Sequence, residues 1–397
     1  MSGSDRVEFY RHQLGADEAA SWRGVLDTLF LTLGPQVAAF EKELGAYLVR
    51  NREGATPPQV VGTSCCSMAL LITLKGLDVG PGDEVITTPM TFTATANAVL
   101  HLGAKPVLVD VEPTTGLIDP KAIEAAITPR TKGVIPVHLY GQLADMRAIR
   151  DIADKHHLFV LEDSAHGIEM ERDGIRPGEL GDAVTFSFYA TKNLTSGDGG
   201  AVATKRPELA DRLRRLRNHG VSKAAADRHG GIYQHWDMVE LGYKANLTDL
   251  DAALLRPQLP LADQKRDQRQ RLVERYEKLL RVAIGSKVPT TSRRGVPWLV
   301  ERRGKSSHHL FTIQPPAAIR DEMLVALGKA NIGTAVNYRA IHTLTYLKEH
   351  LGLERGVLPV AEEIGDRTIS LPLYPTLDEA SQDRVIEAVA KAWREAT

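Results

Sequence analysis

The sequence predicts an α/β protein: a mostly parallel sheet covered by helices, followed by a smaller α+β unit. Three observations lead there. From about residue 58 to 220, short β-branched runs alternate with helical stretches. Those runs are continuously apolar, the pattern of strands buried on both faces of a sheet. Near residue 250 the regime changes to long charged helices with few strands between them. A chain of 397 residues has room for two or three such units.

The elements follow in order. "QVVGTS" is a strand running into the helical "SMALLITLKGL"; "DEVITTP" is a strand followed by the helix "ATANAVLHLG". "KPVLVDV" leads through the helix "DPKAIEAAI" to the strand "KGVIPVHLY". "DMRAIRDIADKHH" reads as a helix; "LFVLEDSA", "AVTFSFY" and "GGAVATK" read as strands. "PELADRLRRLRN" closes the region as a basic amphipathic helix. Strand–helix–strand repetition implies right-handed crossovers and hence parallel strands. In the second regime "ADQKRDQRQRLVERYEKLLRV" is a long helix with a Leu, Val and Tyr face. A Pro-, Gly- and Arg-rich connection leads to the strand "HHLFTIQ" and the helix "RDEMLVALGKAN". "GTAVNYRA" reads as a further strand, and "LDEASQDRVIEAVAKAWREA" as the last helix.

Composition narrows the class. Hydrophobic residues make up 43% and charged residues 25%, the balance of an ordinary globular protein. With 49 Lys plus Arg against 50 Asp plus Glu, there is no basic excess for a phosphate backbone, so no nucleic-acid partner is expected. No apolar run reaches membrane-spanning length and the N-terminus has no apolar signal core, so we expect a cytoplasmic protein with no membrane partner. The two cysteines, Cys65 and Cys66, are adjacent. That excludes a disulfide scaffold and lacks the spacing of a zinc site, so no metal is expected. Asn193 and Asn246 each begin an Asn-Leu-Thr triplet, which carries no meaning as a glycan acceptor in such a protein.

In open α/β sheets ligands collect at the carboxyl ends of the strands. The polar residues of this chain cluster there: Ser64 to Ser67, Thr91 to Thr95, His138, Asp163 to His166, and Tyr189 to Lys192. Lys192 follows an apolar strand and precedes a turn rich in Gly and Ser. By itself such a lysine snorkels to solvent; partly withdrawn from water, it can form a Schiff base with a carbonyl. Asp163 ends a different strand and could merely cap a turn. Enzymes using pyridoxal phosphate (PLP), however, place a carboxylate beside the pyridine nitrogen, where it keeps the ring protonated as an electron sink. Asp163 and Lys192 together supply both ends of such a cofactor. Ser64 to Ser67 put small residues at a helix N-terminus, where free amides and the dipole favour a phosphate. Taken singly, Phe92 reads as core and His166 as a structural histidine.

Taken together, these segments resemble the DegT/DnrJ/EryC1/StrS family of PLP-dependent nucleotide-sugar aminotransferases, within the aspartate aminotransferase (fold type I) superfamily. The likeness runs nearly end to end, through "GPQVAAFEKEL", "GPGDEVITTPMTFTATANAV", "VIPVHLYGQLADM", "EDSAH", "SFYATKNLTSGDGGAV", "ELGYKANLTDLDAAL" and "NIGTAVNYRAIHT". The resemblance implies a large PLP-binding domain over residues 1–255, with an N-terminal arm and a seven-stranded sheet, and a small domain over 256–397. It makes Lys192 the Schiff-base and acid/base lysine, Asp163 the pyridinium partner, Phe92 the stacking ring, and His166 a neighbour of the cofactor. Cys66, Ser67 and Ser187 then hold the phosphate, and Asn246 reaches the cofactor phosphate of a partner subunit. Thr32, Tyr338, Arg339 and His342 fall to the substrate. Two departures stand out: the phosphate turn, usually Ser-Gly-Thr, reads Cys65-Cys66-Ser67, and Thr32-Leu33-Gly34-Pro35 replaces the family's "TTGP".

The expected function is transfer of an amino group from glutamate to a nucleotide-linked keto-sugar by a homodimer with shared active sites, the cofactor alternating between PLP and pyridoxamine phosphate. "KNLTSGDGG" and "NYRAIHT" resemble the branch that aminates carbon 4, while "SFYATKN" shares features with carbon-3 enzymes. Dehydratase relatives replace the lysine by histidine, so Lys192 favours transamination. A PLP lyase or dehydratase, and a non-catalytic regulator on the same fold, are the alternatives.

Overall fold

A computed structural model of the chain describes residues 6–222, 235–285 and 291–397. Helices α1 (Ala16–Val25) and α2 (Pro35–Leu48) precede strand β1 (Gln59–Thr63) and helix α3 (Cys66–Gly76). Then come β2 (Glu84–Thr87), α4 (Ala94–Leu100), β3 (Lys105–Leu108), α5 (Pro120–Ala125), β4 (Thr131–Ile135), α6 (Met146–Lys155) and β5 (Phe159–Asp163). Strands β6 (Ala183–Ser187) and β7 (Gly200–Thr204) and helix α7 (Pro207–Leu216) complete the first region.

These strands form one seven-stranded sheet in the order β1-β7-β6-β5-β4-β2-β3. From β6 to β3 every pairing is parallel, whereas β7 runs antiparallel to both its neighbours, β1 and β6. A hairpin-like return through the Lys192 turn, instead of a helical crossover, makes β7 antiparallel. Alternate residues of each strand enter different cores. Val61, Leu161, Ala183 and Val202 pack beneath α3, α4 and α7. Val60, Val184, Phe186 and Ala203 meet α2 and a short helix α8 (Asp249–Leu255). Ile86, Val134 and Val160 meet α5 and α6. Both faces are covered, the physical reason that the strands read as unbroken apolar runs.

The second region contains α9 (Ala262–Ile284), β8 (Phe311–Ile313), α10 (Ala317–Lys329), α11 (Thr345–Leu351), α12 (Pro359–Arg367), β9 (Ile369–Leu371) and α13 (Glu379–Ala396). Its core gathers Tyr276, Phe311, Met323, Leu371 and Trp393, and Val7 of the N-terminal arm enters the same core. Tyr276 and Phe311 stack with ring centres 4.8 Å apart, and the Tyr276 hydroxyl donates to the Pro372 carbonyl at 3.0 Å. "GTAVNYRA" is not the strand its pattern predicts. Only Ala335 pairs, in a single bridge with Ser370, because Gly333 bonds the N-terminal arm and the following residues turn toward the sheet's carboxyl end.

A buried ion pair ties α9 to the sheet region. Arg269 Nη2 lies 2.7 Å from Glu169 Oε1, both side chains almost fully buried, and Arg269 Nε donates to the Ser307 carbonyl. Breaking such a pair strands a charge in the interior. Glu169→Ala should therefore destabilise the fold by roughly 3–5 kcal/mol, measured as a shift of the urea-unfolding midpoint at unchanged slope.

Candidate active site

At the carboxyl ends of β1, β5 and β6 lies a cavity of about 580 Å³, lined among others by Cys65, Cys66, Ser67, Phe92, Thr95, Asp163, His166, Ser187, Lys192, His309 and Tyr338. Seven of the residues read from the sequence as cofactor contacts are thus brought together. The geometry then explains each.

Helix α3 begins directly after β1, with Cys65 as its extended N-cap and no side chain capping it. The first amides of a helix have no carbonyl partner within it, so those of Cys66 and Ser67 are open to an acceptor. Gly200 makes this turn possible: a Cβ there would stand 2.5 Å from Cys65 C and Cys66 N. Burial pushes the Cys66 thiol well up, and nearby Asp163 adds to the effect, so it stays neutral beside the turn. Ser67 is exposed at the cavity.

Asp163 ends β5, almost fully buried. Its Oδ2 accepts from Thr95 Oγ1 at 2.8 Å and its Oδ1 from the Ala165 amide at 3.1 Å. With Thr95 donating to the carboxylate, Thr91 is the donor in the 2.8 Å Thr91–Thr95 contact. Burial raises the Asp163 pKa in spite of these donors and of Lys192. A cation delivered to this carboxylate would relieve that cost. Lys192 does not sit at the strand end itself. Strand β6 stops at Ser187, and the lysine lies in the turn that follows, its amide bonded to the Tyr189 carbonyl at 2.8 Å. Burial lowers its amine from 10.5 to about 8, against the pull of Cys66 and Asp163. At neutral pH about a tenth of such amines carry a free lone pair, against about one in three thousand for an ordinary lysine.

His166 Nδ1 accepts from the Tyr140 amide at 3.0 Å, which leaves its proton on Nε2 to donate to the Tyr338 hydroxyl at 3.1 Å. Burial and the neighbouring Lys192 hold this imidazole neutral, its pKa well below the usual value. Its ring is stacked on Tyr338, and its other neighbour is His309, with ring centres 4.5 Å apart. Phe92 is 62% exposed at the cavity and tilted toward Tyr338 at 6.2 Å. A PLP ring and phosphate match this donor set: open amides and hydroxyls at one end, a buried carboxylate at the other, and an amine of lowered pKa lining the same cavity.

The remaining expected residues are elsewhere. Asn246 is buried next to the end of β1, donating to the Arg217 carbonyl at 2.9 Å and accepting from Lys244 Nζ at 2.6 Å. Thr32 bridges Thr248 nearby, and neither lines the cavity of its own chain. Arg339 is exposed beside Tyr338 but outside the cavity lining. The expectation that His342 contacts substrate is corrected: it is 0% exposed and bonded to Glu362 Oε1 at 3.0 Å. Glu362 also accepts from the Gly356 amide, so the pair braces the start of α12. Sequence reading missed Thr95 as the partner of Asp163, as well as His309, Phe9 and Tyr10. For Thr95 and its polar neighbours at a strand end there was a signal; for the others there was none.

Comparisons with known proteins place the whole chain. The model of the DegT/DnrJ/EryC1/StrS aminotransferase family matches residues 12–390. Over 382 residues the chain is 41% identical to the spore coat polysaccharide biosynthesis protein SpsC of Bacillus subtilis, covering 95% of this chain and 94% of the other. It is also 41% identical over 363 residues to a protein of Geobacillus stearothermophilus named pleiotropic regulatory protein, covering 91% and 90%. Among solved structures, Spr1654 from Streptococcus pneumoniae, named as a candidate sugar aminotransferase and solved in a pyridoxamine phosphate form, aligns with a TM-score of 0.87 at 27% identity, covering 98% of both chains. By the family match over nearly its whole length, the chain belongs to the DegT/DnrJ/EryC1/StrS aminotransferase family and is a PLP-dependent sugar transaminase.

Proposed function

We propose that the protein moves an amino group from glutamate to the carbonyl carbon of a nucleotide-linked keto-sugar, at carbon 4. The observation that carries the reading is the confinement of Lys192 and Asp163 to one cavity, the lysine with a lowered pKa and the carboxylate buried and doubly bonded. When bound, PLP supplies a ring that accepts the electron pair left when the carbon bearing the amino group loses a proton. The α3 amides, Ser67 and Ser187 would hold its phosphate, Asp163 its ring nitrogen, and Phe92 and His166 its faces. Lys192 anchors the cofactor and, once released, moves the proton between the substrate carbon and the cofactor carbon. Its pKa near working pH suits both taking and giving that proton.

Carbon 4 is favoured by the segments around Lys192 and Tyr338, and the nucleotide by the family resemblance. Purified protein offered UDP-, dTDP- and GDP-linked 3- and 4-keto-sugars with glutamate should yield a 4-amino sugar, identified by mass and NMR. A 3-amino product, a dehydrated sugar, or no reaction with any acceptor would each displace the reading in favour of the matching alternative: carbon-3 transaminase, dehydratase or regulator. We further read the chain as two domains meeting near residue 255 and as cytoplasmic; among the described residues no helix is long and apolar enough to cross a membrane.

The shared-site homodimer belongs to the same proposal. Thr32 and Asn246 do not line their own cavity, and large apolar residues close to them in sequence are exposed: Leu29 is 75% exposed and Leu241 71%, with Leu31, Trp236 and Met238 also exposed. Covering these side chains against a second copy would remove their apolar surface from water. Mixing two inactive variants, Lys192→Ala and Asn246→Asp, should restore part of the activity, since a heterodimer combines both defects in one site and leaves the other intact. Verified subunit exchange without recovery would overturn the shared site.

A further inference from the structure

The cavity has walls of two origins. The residues assigned to the cofactor come from between Cys66 and Lys192. A second wall is built by Phe9 and Tyr10 of the N-terminal arm together with Asn337, Tyr338, Leu371 and Leu373.

The arm is fastened there. The Val7 amide donates to the Asn331 carbonyl at 3.0 Å, and the Gly333 amide donates to the Val7 carbonyl at 2.8 Å. Val7 is buried in the core of the second region, and Phe9 packs against the cluster containing Ile341 and Tyr338. The approach is so close that a Cβ on Gly333 would stand 2.6 Å from the Phe9 amide nitrogen. Held this way, the next residue, Tyr10, lines the cavity with 40% of its surface exposed, and its hydroxyl makes no hydrogen bond to any described residue.

We propose that Tyr10 is a specificity-determining residue of the acceptor subsite, packing its ring on the apolar C–H face of the sugar and offering its free hydroxyl to a sugar hydroxyl. The inference rests on the keto-sugar reading above. A neutral aromatic beside Phe9, Leu371 and Leu373 suits a sugar, which presents C–H faces and hydroxyls. It does not suit an amino-acid donor, whose carboxylates require cations or amides. An anchored aromatic also loses little conformational freedom on binding, which makes its contact area effective.

The two half-reactions separate the possibilities. In the first, glutamate converts the PLP form to the pyridoxamine form, followed by absorbance; in the second, the keto-sugar reverses it. Tyr10→Ala should leave the first within about twofold of the natural protein and raise the KM for the keto-sugar roughly tenfold to a hundredfold, the usual worth of one apolar contact surface in a pocket. Tyr10→Phe should recover most of that loss. Gly333→Ala, which must push the arm away, should reproduce the acceptor defect with Tyr10 intact. An unchanged sugar KM in Tyr10→Ala, or equal losses in both half-reactions, overturns the proposal while the keto-sugar reading stands. A natural protein that completes the first half-reaction and aminates no keto-sugar overturns both.

Discussion

Lys192→Ala should bind pyridoxal phosphate without covalent attachment and show no measurable transamination. In the proposed roles, the substitution removes both the anchoring amine and the group that moves the proton; loss of a general acid/base alone costs about 10²–10⁴-fold. The fold should survive, because the Lys192 amine makes no hydrogen bond to any described residue and the turn is closed by backbone bonds, Phe188 N to Gly199 O at 2.9 Å and Ser196 N to Phe188 O at 3.1 Å. Stability should even improve. The amine is lowered to about 8 in the folded chain against 10.5 unfolded, so between those values the unfolded chain holds the extra proton and stability rises with pH. Below pH 8 the cost of the buried cation is present in full, about 3 kcal/mol for a shift of that size. Lys192→Met in cofactor-free protein should therefore be more stable than the natural chain at pH 7, with the difference vanishing toward pH 10.5. Turnover by Lys192→Ala at the natural rate, or an identical pH–stability curve for Lys192→Met, would contradict the site.

Asp163→Ala should keep part of its cofactor and lose a hundredfold or more of its rate, as expected when one preorganised charge facing the reacting system is removed. Burial has raised the pKa of this carboxylate, and Thr95 and Ala165 fix its two oxygens, so it is positioned before any ring arrives. Asp163→Asn is the sharper variant: it keeps the size and one acceptor but cannot hold a proton on the pyridine nitrogen. Its absorbance should report a neutral ring with cofactor still bound. Thr95→Val should show a smaller loss in the same direction, because the carboxylate keeps its backbone donor but loses the hydroxyl. Near-natural rates in Asp163→Asn would mean that the ring nitrogen is held by some other group.

What the sequence determined here was local or periodic. Unbroken runs such as those around Val60, Val160 and Val184 announced strands buried on both faces, and their polar ends located Asp163, the Lys192 turn and the α3 amides. Such signals depend on neighbours a few residues apart, which is why they survive without coordinates. The tertiary structure decided everything that depends on distant pairs. Thr95 reaches Asp163 across 68 residues, and the Tyr140 amide, 26 residues from His166, sets which nitrogen hands its proton to Tyr338, 172 residues on. "GTAVNYRA" has the composition of a strand, yet its backbone bonds are divided between Val7 of the arm and Ser370 of β9, and its Asn337 and Tyr338 line the cavity. His342 looks like a ligand residue in its motif, but packing α12 over it leaves Glu362 as its partner. The same packing brings Phe9 and Tyr10 to the site from the far end of the chain. No pattern in a sequence encodes such neighbours singly, because their proximity is set by the simultaneous closure of several cores.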